Sequence, residues 1–212
     1  MNRSVLLIGG GGHAKVLFDI LSSQDFKIDA VVSPEIDQSF SLFKNVKHLK
    51  DDSEVLKYNS DDVLLVNGVG SLPGNFLRAS IFEKFCKHSY EFLTVKSEYS
   101  MVSNFCYLGM GVQIMPGAII NAGAKIGDNT IINSGAIIEH DCRVGKNNHI
   151  APGAVLCGQS CTKENVHVGT GASVIQGITI EENAVVAAGT SVVRDVEKNM
   201  LCMPAPVSSR PV

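Results

Sequence analysis

Residues 102–192 repeat every six residues. Val102, Leu108, Ile114, Ile120, Ile126, Ile132, Ile138, Val144, Ile150, Leu156, Thr162, Val168, Val174, Ile180, Val186 and Val192 form one unbroken frame. Fifteen of these sixteen are aliphatic, so the pattern cannot be accidental. A helix repeats at about 3.6 residues and a half-buried strand at 2, so neither alone accounts for a strict six. A fixed hexapeptide period is the mark of stacked coils, a parallel β-helix. The residue three places after each aliphatic is Gly, Asn or Asp at nearly every turn, as at Gly117, Asn129, Gly135, Asp141 and Asn165. Those residue types tolerate the positive φ of a tight corner. The residue four places on is usually small, as at Ala118, Ala136, Cys142 and Ala172, which suits the interior of a narrow prism. Three hexapeptides make one triangular coil, and burying each aliphatic contributes roughly 1.5–3 kcal/mol before chain entropy.

The repeat resembles the left-handed β-helix of the hexapeptide-repeat acyltransferases. That resemblance supplies the hand, and implies a homotrimer with acyl-CoA held between neighbouring prisms.

The first 95 residues read differently. An apolar strand at 5–8 runs into Gly9-Gly10-Gly11-Gly12-His13 and then an amphipathic helix. Strand, glycine turn and helix open a doubly wound phosphate-binding fold: glycines admit a phosphate to the backbone, and helix N–H groups attract it. Gly9, Gly11 and Ala14 match the dinucleotide spacing, but Ser33-Pro34 stands where a nicotinamide dinucleotide wants an acid. A mononucleotide or nucleotide-sugar phosphate suits the turn better. Further strands are expected at 30–32, 63–66 and 91–95, with Asn67-Gly68-Val69-Gly70-Ser71 as a second glycine turn. A helix is expected over 75–88 with Phe76, Leu77, Ile81 and Phe85 on its buried face. The expected organisation is a Rossmann-like α/β domain at 1–95 and a β-helix with a C-terminal cap and tail at 96–212.

The net charge of −3 and the lack of a basic run argue against a nucleic-acid partner. No apolar stretch approaches membrane-spanning length, the start lacks a signal-peptide pattern, and six scattered cysteines read as cytosolic thiols. A cytoplasmic location is the expectation. Cys106 and Cys142 fall in the small inward phase and read as core filler.

The whole chain resembles the sugar acetyltransferases named for sialic-acid O-acetylation. That family includes the N-acetyltransferases of nucleotide-linked 4-amino-sugars, as in bacillosamine and perosamine synthesis. The glycine-His start, the Asn-Gly-Val-Gly-Ser turn, the repeat and the closing Met203-Pro204-Ala205 carry the likeness; Lys96-Ser97-Glu98 departs from the family's His-Pro-Ser. The resemblance implies that Gly11, Gly12 and His13 hold the diphosphate, with Gly68 near the nucleotide. It implies that His140, followed by Asp141, is the general base, and that His149, Thr170 and Ala188 touch acetyl-CoA, with no metal required. Acyl transfer to an amine needs a base that titrates near neutrality, which independently points to histidine. His149 lies nine residues after His140, half a coil away, so the two face different sides of one prism. A site holding both needs a second copy.

The favoured reading is N-acetylation of a nucleotide-linked 4-amino-sugar; O-acetylation of a sialic-type acid is the alternative. A β-helix carbonic anhydrase would need histidine ligands five apart in the repeat, a spacing absent here. A nucleotide-sugar-binding protein without activity would have no use for the His140-Asp141 pair.

Overall fold

The computed structural model describes residues 3–36 and 41–204. Two compact units emerge, and they are not contiguous in sequence. The first comprises residues up to Glu98 together with Leu108–Gln113; the second comprises Tyr99–Tyr107 and the chain from Ile114.

The first unit is built on β1 (Ser4–Ile8), α1 (Gly12–Ser23), β2 (Ile28–Val32), β3 (Lys47–Leu49), β4 (Val63–Asn67) and α2 (Leu77–Lys87). Its four strands are parallel in the order β3-β2-β1-β4. All five residues of β1 are buried, as a central parallel strand requires. Leu6, Ile8, Val32, Leu65, Ile81 and Phe85 share one core beneath the sheet. A 3₁₀ turn at Asp52–Lys57 is capped by Asp51, whose carboxylate accepts the Ser53 N–H at 2.7 Å.

Three expectations are corrected. Of the strand expected at 91–95, Phe92 makes a single bridge to Leu65 and Val95 begins a two-residue strand, Val95–Lys96, outside this sheet; the fourth strand of the sheet is Lys47–Leu49. The chain leaves α2 through Ser89, at φ 63°, and stays beside β4 only briefly. Thr94 Oγ1 then donates to Gly109 O at 2.8 Å and Val95 N to Val112 O at 2.9 Å, which ties residues 108–113 into this unit. The boundary therefore does not fall cleanly at residue 95. Finally, α2 begins at Leu77, with Asn75 Oδ1 accepting the Leu77 N–H at 2.9 Å. Phe76 and Leu77 are exposed, and the buried face is Arg78, Ile81, Phe82 and Phe85. Arg78 turns inward because the carbonyls of Asn67 and Val69 accept from it.

In the second unit each hexapeptide is one two-residue strand and one corner. Strands pair in parallel with those 18 residues on: Lys125 with Arg143 and Arg143 with Cys161, Ile131 with His149 and His149 with His167, Ile137 with Val155 and Val155 with Ser173. The inward aliphatics from Ile114 to Val192 are buried, Thr162 among them. Every corner position from Gly111 to Gly189 has positive φ, including Gln159 at 62°, the one corner without Gly, Asn or Asp. The last coil is closed by Leu201–Cys202 pairing with Val185–Val186 and by Asp195, which accepts the Thr179 N–H at 2.8 Å. The tail from Ala205 lies outside the described residues.

One polar layer crosses the prism interior. Asn148 is buried, donates to Thr162 Oγ1 at 2.6 Å and accepts the Val166 N–H at 2.6 Å, while its own N–H meets Thr130 Oγ1 at 3.1 Å. This is why Asn148 and Thr162 can break the apolar pattern at neighbouring levels. Asn148→Ala strands the Val166 N–H and the Thr162 hydroxyl. It should cost about 1–3 kcal/mol in urea or thermal unfolding; an unchanged midpoint would show the layer to be dispensable.

Candidate active site

Two places carry the functional side chains, one in each unit. In the first, the carboxyl ends of all four strands open onto a cavity of about 660 Å³. Its lining includes Gly9–Gly12, His13, Ser33, Gly68–Gly70, Lys50 and Lys84. Ligands of open α/β sheets gather at such strand ends. The glycines divide into two kinds. Gly9 (φ 109°) and Gly68 are closely packed: a Cβ on Gly9 would meet the Gly68 backbone at 2.9 Å, and one on Gly68 would meet the Ala14 Cβ at 2.8 Å. They allow β1, β4 and α1 to approach. Gly11 and Gly12 have nothing within 4 Å of a built Cβ and are exposed, so their bare backbone faces open space. Gly68 thus combines a packing role with its place in the cavity wall.

His13 begins the helix that follows, and its surroundings define its charge. Its Nε2 lies 2.7 Å from Gln113 Oε1, while Gln113 Nε2 donates to Asn67 O at 2.8 Å. The second bond fixes the Gln113 amide, so His13 Nε2 carries the hydrogen and donates. Asn67 Nδ2 donates to Arg78 O at 2.9 Å, and Arg78 Nη1 donates to Asn67 O at 2.7 Å and Val69 O at 2.8 Å. Burial, with Arg78's charge adding, lowers the His13 pKa to about 4; the Gln113 bond opposes the shift. Burial also lowers Arg78 to about 9, which leaves it charged at neutral pH. The turn is therefore served by neutral His13 and cationic Arg78, a division invisible in the glycine motif. Arg78, Gln113 and Asn67 were not among the expected site residues; only the apolar spacing of α2, interrupted by an arginine, hinted at one of them.

In the second unit His140 and Asp141 occupy one corner, and Asp141 has φ 60°. His140 Nδ1 lies 2.9 Å from Asp141 Oδ2, and both side chains are 60% exposed, so the pair is open to a substrate. A carboxylate only accepts, so Nδ1 carries the hydrogen and Nε2 presents its lone pair. Glu139, just before, accepts from Asn121 Nδ2 at 3.0 Å.

His149 stands on another face. Ser134 N–H donates to Asn133 Oδ1 at 2.8 Å, which turns Asn133 Nδ2 toward His149 Nε2 at 2.9 Å. His149 Nε2 is therefore an acceptor and its hydrogen sits on Nδ1. The His167 ring stacks edge-on at 4.8 Å from that of His149, and burial lowers the His167 pKa. Beside these rings runs a corner whose exposed residues are small: Ser134-Gly135, Pro152-Gly153, Thr170-Gly171 and Ala188-Gly189. Each is linked to the next by a backbone bond, such as Gly189 N to Thr170 O at 2.9 Å. The structure thus brings His149, Thr170 and Ala188 to one side of the prism and His140 with Asp141 to another. Cys142 is buried against Ser160, and burial raises its thiol pKa, as core filler should behave. Among the described residues no three His, Cys, Asp or Glu side chains converge as a metal site needs, and no helix is long and apolar enough to cross a membrane.

Family comparisons agree with this division. Residues 4–85 match the PglD N-terminal domain, and residues 105–140 and 123–158 match bacterial transferase hexapeptide repeats. Comparison with curated proteins finds no match. Among solved structures, the perosamine N-acetyltransferase of Caulobacter crescentus is 31% identical, with a TM-score of 0.86, and the alignment covers 100% of this chain and 99% of that one. The chain belongs to the hexapeptide-repeat sugar acetyltransferases. That Caulobacter relative was solved with CoA and GDP-perosamine, as variants with one histidine replaced by asparagine or alanine. The acetyltransferase domain of PglB from Neisseria gonorrhoeae is 25% identical (TM-score 0.86; 97% of this chain, 98% of that one). WeeI from Acinetobacter baumannii, at 18% identity and TM-score 0.81 over 94% and 95% of the two chains, shares the fold. In this sugar acetyltransferase the prism is accordingly a left-handed β-helix.

The depressed His13 pKa has a consequence for stability. Folded, His13 stays neutral to about pH 4; unfolded, it takes a proton at about 6.5. The unfolded chain therefore binds more protons between these values, and stability falls as pH drops from 6.5 toward 4, by up to about 3 kcal/mol. Urea unfolding across that window should show the slope in the wild type and a weaker one in His13→Gln. Equal slopes would mean that His13 is not held neutral.

Proposed function

We propose that this acetyltransferase moves the acetyl group of acetyl-CoA onto the amine of a nucleotide-linked 4-amino-sugar, with His140 as general base. The observation that carries the reading is the exposed His140–Asp141 pair at 2.9 Å. Acetyl-CoA supplies an activated thioester carbonyl. His140 Nε2 accepts the proton that the sugar amine must lose as it forms the new C–N bond; the thioester C–S bond then breaks and CoA leaves as its thiol, carrying that proton. Asp141 holds Nδ1–H, so the ring keeps its lone pair on Nε2 and the imidazolium that forms has a carboxylate beside it.

The small-residue corner at Thr170 and Ala188 suits an extended pantetheine arm, because no bulky side chain projects there and the backbone is within reach. His149, held by Asn133 at 2.9 Å, stands beside this ridge, where the acetyl end would lie. This ridge and His140 lie on different sides of one prism. A complete site therefore takes His140 from one copy and the ridge from another, which supports a homotrimer. In the first unit, bare Gly11 and Gly12 at the start of α1 offer backbone to the diphosphate, and Gly68 stands in the same cavity. Arg78, bonded to the Asn67 and Val69 carbonyls of the second turn, adds positive charge, and neutral His13 adds hydrogen-bonding rather than charge. The six free thiols support a reducing, cytoplasmic setting.

His140→Ala should lower turnover by roughly 10²–10⁴-fold without changing the oligomer. Near-normal turnover would remove the mechanism. Gly12→Leu fills open space at the turn and should raise KM for the nucleotide sugar while leaving KM for acetyl-CoA unchanged. Loss of acetyl-CoA binding in that variant would contradict the division of labour between units.

A further inference from the structure

We infer that Gly158 is a positioning residue for His140, kept as glycine by the imidazole one coil below it and not by its own backbone angles. The inference rests on the reading of His140 as base. Gly158 lies 18 residues after His140, one coil along the same corner. A Cβ built on Gly158 would lie 2.6 Å from His140 Nε2, 2.7 Å from Cε1 and 3.2 Å from Cδ2. The reactive edge of the ring therefore rests where any other side chain would begin.

The usual reason for a glycine in this fold does not apply. Gly153, Gly171, Gly177 and Gly189 adopt φ of 65–72° and form corners; each has nothing within 4 Å of a built Cβ. Gly158 is not among the positive-φ residues, and the corner of its turn is Gln159 at φ 62°. Its hexapeptide phase also tolerates side chains elsewhere. The same phase holds Ala122, Asp128, Lys146, Pro152, Glu164, Thr170 and Gln176, and Gly158 is its only glycine between residues 104 and 194. What distinguishes position 158 is the histidine one coil below.

The opposite side of the pair is closed as well. Asp141 Oδ1 lies against Gly123, one coil earlier, where a Cβ would overlap it. His140 and Asp141 are thus held between the two glycines. Gly123 also needs φ of 78°, so its replacement would mix backbone strain with loss of the seat. Gly158→Ala separates the two effects, since alanine accepts the backbone there. The added methyl must push Nε2 away while Asp141 still holds Nδ1, which tilts the lone pair from its line.

Gly158→Ala should therefore lower kcat about 10²-fold, the scale of a small misplacement of a reacting group. KM for both substrates, the oligomer and the melting temperature should be unchanged. In the His140→Ala background the same substitution should cost nothing further, because there is no ring left to displace. A crystal structure of Gly158→Ala should show the imidazole moved off the corner. Wild-type kcat in Gly158→Ala, or an equal loss in the His140→Ala background, overturns the inference while leaving His140 as base. Normal turnover in His140→Ala alone instead overturns the assignment of the base.

Discussion

Registration of residues 18 apart is the constraint on which the second unit depends. Each coil hydrogen-bonds to the next with no slip, so any side chain has fixed neighbours one coil below and one above. This converts a corner histidine into an oriented one. His140 does not need a helix or a buried pocket to hold it; the adjoining corners at Gly123 and Gly158 and its own neighbour Asp141 set its place. The same registration stacks His149 on His167 and aligns the small corner from Ser134 to Gly189. It also explains how the exposed His140–Asp141 pair can be ordered. The rigid coil takes the conformational cost that a flexible loop would carry.

In the first unit the organising interaction is the chain from His13 through Gln113 to Asn67 and Arg78. It joins the two glycine turns, one after β1 and one after β4, through hydrogen bonds whose direction is set by amide and carbonyl chemistry. The cation is bonded to the carbonyls of the second turn, at Asn67 and Val69, and the neutral imidazole stands in the first turn of α1. An anion arriving at Gly11 and Gly12 would meet bare backbone, and would not depend on the protonation of His13.

Much of this was legible in the sequence because the signals repeat. The six-residue frame over 102–192 defines strands, corners and interior together, and one irregular residue cannot disturb it. Gln159 shows the limit: its positive φ comes from the coil geometry, not from its own preference. The α/β unit was less legible because its signals are single. Lys47–Leu49 is too short to show a pattern, and Phe92 makes one bridge where a strand was expected. Arg78 sits on the buried face of α2 at the expense of Phe76 and Leu77, since carbonyl partners at Asn67 and Val69 outweigh the apolar pattern. The His140-Asp141 pair was readable as a dipeptide, but its seat between two glycines was not. Gly158 stands out in sequence only by its phase in the repeat; its reason, the histidine one coil below, needs the structure.

The central claim is that the chain acetylates the amine of a nucleotide-linked amino sugar. Thiol release from acetyl-CoA tests it most directly, with UDP-, dTDP- and GDP-linked 4-amino-sugars as acceptors beside free and CMP-linked sialic acids. The account predicts release with an amino-sugar nucleotide and none with the sialic acids. Release with sialic acids alone would contradict it, and would leave the glycine turns of the first unit without a ligand.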